Sequence, residues 1–226
     1  PPVWKSPAAF TLLGTRVPGV DTDAIVHGRP LYGIDVRLPG MKYAAVARCP
    51  VFNGRPVEVD DRAALAVPGV RQVVRIAGHA NPTFCMPGVA VVADSTWAAF
   101  KGRDALIVQW DEGAFAGEST ATLSAQCSTL LGEAGTTVRA VGDVDTALAA
   151  AARVVEADYE APFLAHATLE PLNCTADIRD GHCYITGPLQ MQTSGARVVA
   201  EAIDLPVERV HVQATRLGGG FGRVSV

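Results

Sequence analysis

The chain has 226 residues, of which 49% are hydrophobic and 19% are charged, so it can bury a packed core and extensive disorder is disfavoured. Its formal net charge is −4 and its arginines are scattered singly, which disfavours nucleic-acid and anionic-membrane partners. The five cysteines contain no C-x-x-C pair and have irregular spacing, which disfavours a zinc ribbon, a thioredoxin-type site and a disulfide framework.

The first half of the chain predicts a small domain of mixed strands and helices. Residues 1–20 are rich in Pro and Gly and predict an extended lead-in. Strands over 32–38 and 41–48 are expected to form a hairpin across the turn at Pro39-Gly40. The next predicted elements are a helix over 61–67, strands over 70–76 and 88–93, a helix capped within 94–96 and a strand over 107–110. Residues 111–113 break that last strand, which predicts a first domain over 21–113.

The second half, 114–226, predicts another unit in which helices and strands are mixed. Helices are expected over 119–131, directly after the cap Asp143, and over 191–203. Strands are expected over 154–159, 174–178, 182–186 and 210–215, with the middle two joined as a hairpin. The predicted fold class of the whole chain is therefore α+β, a mixed α/β architecture.

A glycine cluster follows the last predicted strand and is the sharpest local signal. In Gly218-Gly219-Gly220-Phe221-Gly222, the missing side chains would let backbone N–H groups approach an anionic or oxo-rich ligand. The cluster is not a dinucleotide fingerprint, because the third glycine of G-x-G-x-x-G would fall on Arg223, and no phosphate-loop lysine follows. Composition alone is equally compatible with a flexible C-terminal tail.

Two further positions carry polar groups that could serve a site. Gln190 follows Gly187-Pro188-Leu189, and its neutral amide could donate to an oxo group, although an ordinary surface amide is the favoured interpretation from the residue alone. His166 and Glu170 are four residues apart and would share a helix face, but Pro171 opposes a continuing helix. A hydrogen-bonded structural pair is therefore expected there, and no residue of the chain is assigned as a metal ligand.

In their order along the chain, these stretches resemble the xanthine oxidase and aldehyde oxidoreductase superfamily of molybdenum hydroxylases. They are most similar to the molybdopterin-binding large subunit of the isoquinoline 1-oxidoreductase (beta subunit) type. Residues 28–35, 38–41, 68–70 and 88–93, the last of these shortly before Trp97, look like the superfamily's hammerhead domain. Residues 170–174, Gln190 and Gly218–Arg223 look like the first part of its molybdopterin-binding domain, so the chain is read as a fragment of a longer subunit.

The resemblance implies roles for particular residues. Gln190 corresponds to a glutamine that contacts an oxo ligand of molybdenum, so it is the candidate catalytic residue. Phe221 and Gly222 correspond to backbone positions at the cofactor, with Gly218, Gly219 and Gly220 in support, and Arg223 is typical of the isoquinoline-type branch. The family's catalytic base, a glutamate, has no counterpart in this chain.

The resemblance also implies an activity for the intact protein. That activity is oxidation of an aldehyde or N-heterocycle with water-derived oxygen, using a molybdopterin-type molybdenum cofactor and a small iron–sulfur partner subunit. The fragment itself is expected to be inactive and to bind no cofactor alone. The alternative is a non-catalytic module that scaffolds subunit assembly and oligomerises through exposed apolar surface. Both a periplasmic and a cytoplasmic bacterial location are compatible with the sequence.

Overall fold

The computed structural model describes residues 2–223, which divide into two compact units. One unit combines residues 2–38 with 166–223, and the other is Pro39–Ala165. Both contain helices and strands, which confirms the predicted α+β class. The domain boundaries predicted after residues 20 and 113 rest on local breaks in the sequence pattern and differ from the bounds of these units. The domains 21–113 and 114–226 therefore stay predictions. The end of the predicted domain 114–226, at residues 224–226, lies outside the described residues.

Within residues 2–223 the strands are β1 Tyr43–Ala47, β2 Arg55–Asp60, β3 Val70–Ile76, β4 Gly88–Ala93, β5 Ile107–Asp111, β6 Thr175–Arg179, β7 His182–Gly187 and β8 Val210–Ala214. The α-helices are α1 Thr22–Val26, α2 Arg62–Leu65, α3 Thr96–Asp104, α4 Thr120–Leu131, α5 Val144–Ala149 and α6 Gln192–Ala202. Short 3₁₀ helices span Pro7–Ala9, Gly33–Asp35, Gly113–Phe115 and Val207–Arg209. None of the helices in this part of the chain has the length and apolar character of a membrane span.

The Pro39–Ala165 unit is built on the antiparallel sheet β1-β4-β3. Its central strand β4 is a continuous apolar run, and Val89 and Val91 within it are fully buried. Helix α3 packs on this sheet through Ala98 and Ala99, and the Ser95 side chain caps the helix by accepting from the Ala98 N–H at 3.2 Å. A second, two-stranded sheet pairs β2 with β5.

The other unit contains the sheet β6-β7-β8, in which β6 and β7 are antiparallel and β7 and β8 are parallel. Its core consists of Cys183 and Ile185 from β7, Ala200 from α6 and Val210 from β8. The alternation of buried and half-buried residues along β7 gives one face to this core. The predicted hairpin of β6 and β7 and the predicted helix α6 are therefore confirmed.

Several local predictions are wrong. Within the predicted strand 32–38, Gly33–Asp35 form a 3₁₀ helix, because the Asp35 carboxylate accepts from the Tyr32 N–H at 3.1 Å and competes with extended pairing. Strand β1 exists but pairs with β4, so the hairpin across Pro39-Gly40 does not form. Residues 154–159, which were expected to form a strand, have no regular secondary structure, and no strand of the described chain pairs with them. Strand β2 and helix α1 were not predicted.

Candidate functional site

The glycine loop, defined here as Gly218–Arg223, follows β8 and turns sharply. The backbone φ angles are +109° at Gly219, +49° at Phe221 and +91° at Gly222, in the left-handed region that residues other than glycine rarely adopt. The Arg223 N–H donates to the Gly220 carbonyl at 2.8 Å and closes the turn. The Phe221 side chain is 77% exposed, so it is not an anchor of the core. The loop thus presents its backbone and one aromatic ring at a surface.

A buried carboxylate, Glu170, holds the start of this loop. The Gly218 N–H donates to Glu170 Oε2 at 2.7 Å, and the Glu170 N–H donates back to the Gly218 carbonyl at 3.1 Å. The other oxygen, Oε1, accepts from the Ile34 N–H at 3.2 Å and from the Asn173 side-chain amide at 3.1 Å. Both carboxylate oxygens are therefore engaged, and each serves a different part of the chain.

These hydrogen bonds set the charge state of Glu170. Burial alone would raise the pKa of this carboxyl, but the hydrogen bonds from Asn173 and from the N–H groups of Gly218, Ile34 and Gly33 outweigh burial and lower the pKa below its ordinary value. Glu170 is consequently ionised at neutral pH. Among the described residues, Glu170 is the charged residue that is buried, with 9% of its surface exposed.

Gly218 and Glu170 also pack so closely that no side chain fits between them. A Cβ atom at Gly218 would lie 2.3 Å from the Glu170 Cβ and 3.1 Å from its Oε2. At this separation only glycine leaves room for the Glu170 N–H to reach the Gly218 carbonyl and for the Gly218 N–H to reach the Glu170 carboxylate. The first glycine of the loop is thus fixed by contact with Glu170, whereas Gly222 has open space around it.

Gln190 lies on a different turn of the same unit. Gly187 and Pro188 before it are buried, while the Gln190 side chain is exposed. The Leu189 N–H donates to the Gly187 carbonyl at 2.9 Å, and the Gln192 side chain donates to the Leu189 carbonyl at 2.9 Å. A rigid base therefore carries an amide whose own donor and acceptor face outward.

The segment Leu31–Asp35 contacts the residues next to both turns. A Cβ atom at Gly33 would lie 2.6 Å from Pro188 Cδ and 2.5 Å from Asn173 Oδ1, so the Gly33 backbone is packed against both side chains. Asn173 Oδ1 is itself buried and accepts no hydrogen bond in the described structure. Tyr32 forms a parallel bridge with Arg216, just before the glycine loop.

The structure thus relates the predicted site residues unequally. Gly218 is tied to Glu170, and the Gln190 turn reaches the same region through Pro188 and Gly33. The hydrogen bonds of Glu170 go to the backbone and to Asn173, so the pair expected between His166 and Glu170 is wrong. A structural role of Glu170 was expected, but its partners Ile34, Asn173 and Gly218 were not.

The donor set is suited to a ligand that is anionic or rich in oxo groups and brings its own metal ligands. It comprises backbone N–H groups of the glycine loop other than those of Gly218 and Arg223, which already have acceptors, together with the neutral amide of Gln190 and the exposed guanidinium of Arg223. Among residues 2–223, no group of three or more His, Cys, Asp or Glu side chains could hold a metal ion directly. Backbone and amide donors of this kind fit the oxygen-rich groups of a pterin-type molybdenum cofactor.

Comparison with known proteins agrees with this geometry. Residues 131–224 match the family model of the molybdopterin cofactor-binding domain. The chain is 31% identical over 208 residues to the membrane-bound aldehyde dehydrogenase (pyrroloquinoline-quinone) of Gluconacetobacter polyoxogenes, covering 90% of this chain and 26% of that protein. It is 27% identical over 229 residues to the isoquinoline 1-oxidoreductase subunit beta of Brevundimonas diminuta, covering 97% of this chain and 28% of that subunit.

Solved structures share the fold. Aldehyde oxidoreductase from Desulfovibrio gigas superposes with a TM-score of 0.66 at 21% identity, over 97% of this chain and 28% of that one. Quinoline 2-oxidoreductase from Pseudomonas putida 86 gives a TM-score of 0.63 at 22% identity, over 93% of this chain and 31% of that one. The chain thus spans less than a third of the length of these proteins. The resemblance to the molybdopterin-binding large subunits of the xanthine oxidase superfamily is confirmed.

Proposed function

We propose that this chain is part of the large subunit of a molybdenum hydroxylase, and that the intact protein oxidises an aldehyde or an N-heterocycle with oxygen derived from water. One observation carries the proposal: the glycine loop that falls within the matched cofactor-domain region has its first residue fixed by Glu170 and its later residues exposed. A loop built in this way can offer backbone N–H groups to a ligand without a prior rearrangement.

In this proposal each residue of the site has a distinct task. The backbone of Gly219, Gly220, Phe221 and Gly222 would lie at the cofactor, and the three glycines among them leave no side chain in the way. The Gln190 amide donates to an oxo group and can accept from a substrate. When bound, a molybdenum cofactor supplies the two-electron oxidation of the substrate carbon. The residues of this chain supply position and fixed dipoles, which need no reorganisation during the reaction.

The remaining assignments follow from the same proposal. Residues 21–113 correspond to the hammerhead domain after the lead-in 1–20, and residues 114–226 to the first part of the molybdopterin-binding domain. The partners are the remainder of the large subunit and a small iron–sulfur subunit that carries electrons away. The catalytic base lies in that remainder, so this chain alone is inactive and retains no cofactor.

The direct test of Gln190 uses the protein from its complete reading frame, produced with the neighbouring small subunit. We expect Gln190→Ala to lower kcat by about 10²–10³-fold with the molybdenum content unchanged, since it removes one preorganised donor. Gln72→Ala is the matched control, because Gln72 is an exposed glutamine of β3 outside the site. Unchanged turnover of Gln190→Ala would remove the catalytic assignment.

The reaction class is tested by the source of the oxygen. Turnover of a panel of aldehydes and N-heterocycles in ¹⁸O-labelled water is expected to give product that carries one labelled oxygen. Aldehydes also exchange oxygen with water, so the decisive substrates are the heterocycles and short reaction times with aldehydes. Product that gains its oxygen from O₂ would contradict the proposed reaction.

A second candidate function is a module for subunit assembly, and exposed apolar side chains favour it. Between residues 138 and 165 the side chains of Val138, Val155, Tyr159, Phe163 and Leu164 are each at least 75% exposed. Such a surface is unusual for a monomer and is typical of a covered interface. Two measurements together distinguish the two functions. Stable self-association of the 226-residue chain in sedimentation, together with no cofactor in the protein from the complete reading frame, supports assembly. A monomeric 226-residue chain opposes it.

A further inference from the structure

We infer that the segment Leu31–Asp35, which we call the clasp segment, positions the two cofactor-facing turns relative to each other. This inference rests on the proposed function, because it assigns positioning residues to the same site. The clasp segment is more than 130 residues before Glu170 in the sequence, and its Ile34 N–H bonds to that carboxylate. The positioning residues are Gly33 and Glu170, neither of which is assigned to contact the cofactor.

The first connection runs from the clasp segment to the glycine loop. The Ile34 N–H donates to Glu170 Oε1, and the Gly218 N–H donates to Oε2 of the same carboxylate. A displacement of one donor changes the position of the carboxylate available to the other. The backbone bridge of Tyr32 with Arg216 holds the clasp segment beside the chain that leads into the loop.

The second connection runs from the clasp segment to the Gln190 turn. A Cβ atom added at Gly33 would lie 2.6 Å from Cδ of Pro188, which is two residues before Gln190. The same Cβ would lie 2.5 Å from Asn173 Oδ1, and the Asn173 amide also donates to Glu170 Oε1. Gly33 therefore touches the base of one turn and the carboxylate network of the other.

One carboxylate with two oxygens is well suited to this task. Both oxygens accept hydrogen bonds, and bonds to an ionised carboxylate are roughly twice as strong as those between neutral groups. Replacement of Glu170 by Gln leaves one acceptor oxygen and presents an NH₂ group to the N–H of either Ile34 or Gly218. The variant therefore keeps the shape of the side chain and breaks the connection between the two segments.

The experiment measures hydrogen exchange and cofactor retention on the protein from the complete reading frame. We expect Gly33→Ala to speed exchange at the amides of residues 218–222 by about tenfold, since one hydrogen bond is lost or weakened. Molybdenum release on dilution into buffer is expected to accelerate in the same variant. Glu170→Gln should likewise speed both amide exchange at 218–222 and molybdenum release. Glu170→Asp should recover less than half of the protection lost in Glu170→Gln, because the shorter side chain cannot reach both donors.

Gly195→Ala is the matched control, because Gly195 lies in α6 of the same unit and an added Cβ meets nothing within 4 Å. Exchange at 218–222 that stays at the wild-type rate in Gly33→Ala and in Glu170→Gln would overturn the inference. Faster exchange with an unchanged rate of molybdenum release would also overturn it, since the clasp segment would then be merely structural. Wild-type protein without molybdenum would instead contradict the proposed function, while the exchange result would still report on the connection.

Discussion

The central sheet of the Pro39–Ala165 unit and the surroundings of the glycine loop are stabilised in different ways. In the sheet, β4 and α3 bury only apolar side chains, among them Val89, Val91 and Ala99. Around the glycine loop, one ionised carboxylate accepts three hydrogen bonds, two of them from residues distant in the sequence, and glycines leave room for them. Apolar packing tolerates substitutions that conserve volume and pattern, whereas a hydrogen bond requires its donor and acceptor to keep a particular distance and direction.

The difference teaches which region is suited to hold a ligand. Apolar side chains supply stability in proportion to the area they bury, without a preferred direction. The hydrogen bond that the Gly218 N–H donates to Glu170 has a preferred direction, so it determines where the Gly218 backbone and the start of the loop lie. The apolar core around β4 and the Glu170 network thus differ in whether they fix the direction of a contact, and substitutions in the two should differ in kind as well as in size.

The largest expected effect is that of Glu170→Leu. The leucine removes the acceptor of the Ile34 and Gly218 N–H groups and of the Asn173 amide, so three donors lose their partner in a buried place. We expect the free energy of unfolding to fall by about 3 kcal/mol or more, measured by urea denaturation. A loss below about 1 kcal/mol would show that the network adds little and would remove the contrast between the regions.

The next effect in size is that of Val91→Ala in the central sheet. Val91 is fully buried in β4, so the lost methyl groups leave a cavity, and we expect a loss of about 2 kcal/mol in the free energy of unfolding. Val57→Ala is the control, because Val57 is exposed on β2. Hydrogen exchange at the amides of 218–222 should not change in Val91→Ala, and faster exchange there would break the distinction between stability and position.

A pH titration separates the two regions with a smaller effect. The pKa of Glu170 is lowered in the folded chain, so its ionisation stabilises the fold at pH values above the ordinary glutamate pKa of about 4.3. That contribution is lost as the pH falls through the lower pKa of the folded state. The difference in melting temperature between wild type and Glu170→Gln should therefore narrow below about pH 4, whereas that for Val91→Ala should stay constant. A constant difference for Glu170→Gln would contradict the ionised network.

The smallest effect is expected for Asp94→Asn, directly after the central strand β4. Arg71 and Lys42 both form ion pairs with Asp94 and lower the pKa of its carboxyl. All three side chains are in contact with solvent, which weakens such pairs. Melting temperature should fall by about 2 °C or less, and the fall should vanish at high salt. A fall as large as that of Val91→Ala would mean that surface charge contributes to this sheet as much as its core.

The sequence predicted the elements that depend on local pattern. Strands β3 and β4 were predicted with the bounds they have, because their apolar residues identify a buried sheet without reference to distant residues. The cap of α5 at Asp143 was also predicted, and its side chain accepts from the Thr146 N–H at 3.0 Å. Such features need information from only a few neighbouring positions.

The surroundings of the candidate site could not be predicted in the same way. The alternating pattern of 32–38 predicted a strand, but hydrogen bonds of Tyr32 to Asp35 and of Ile34 to Glu170 set a different conformation. Nothing near Gly33 in the sequence indicates that it packs against Pro188. The site residues Gln190 and Gly218–Arg223 came from the order of motifs in a family, and their roles stay predictions.

The most direct test of the central claim is the molybdenum content of the protein from the complete reading frame, produced with its neighbouring small subunit and measured by elemental mass spectrometry. The account predicts close to one molybdenum per large subunit, and none in the 226-residue chain alone. Protein that contains no molybdenum, under conditions in which a control molybdoenzyme is loaded, would contradict it. Bound pyrroloquinoline-quinone in place of molybdenum would also contradict it and would assign the glycine loop to a different cofactor.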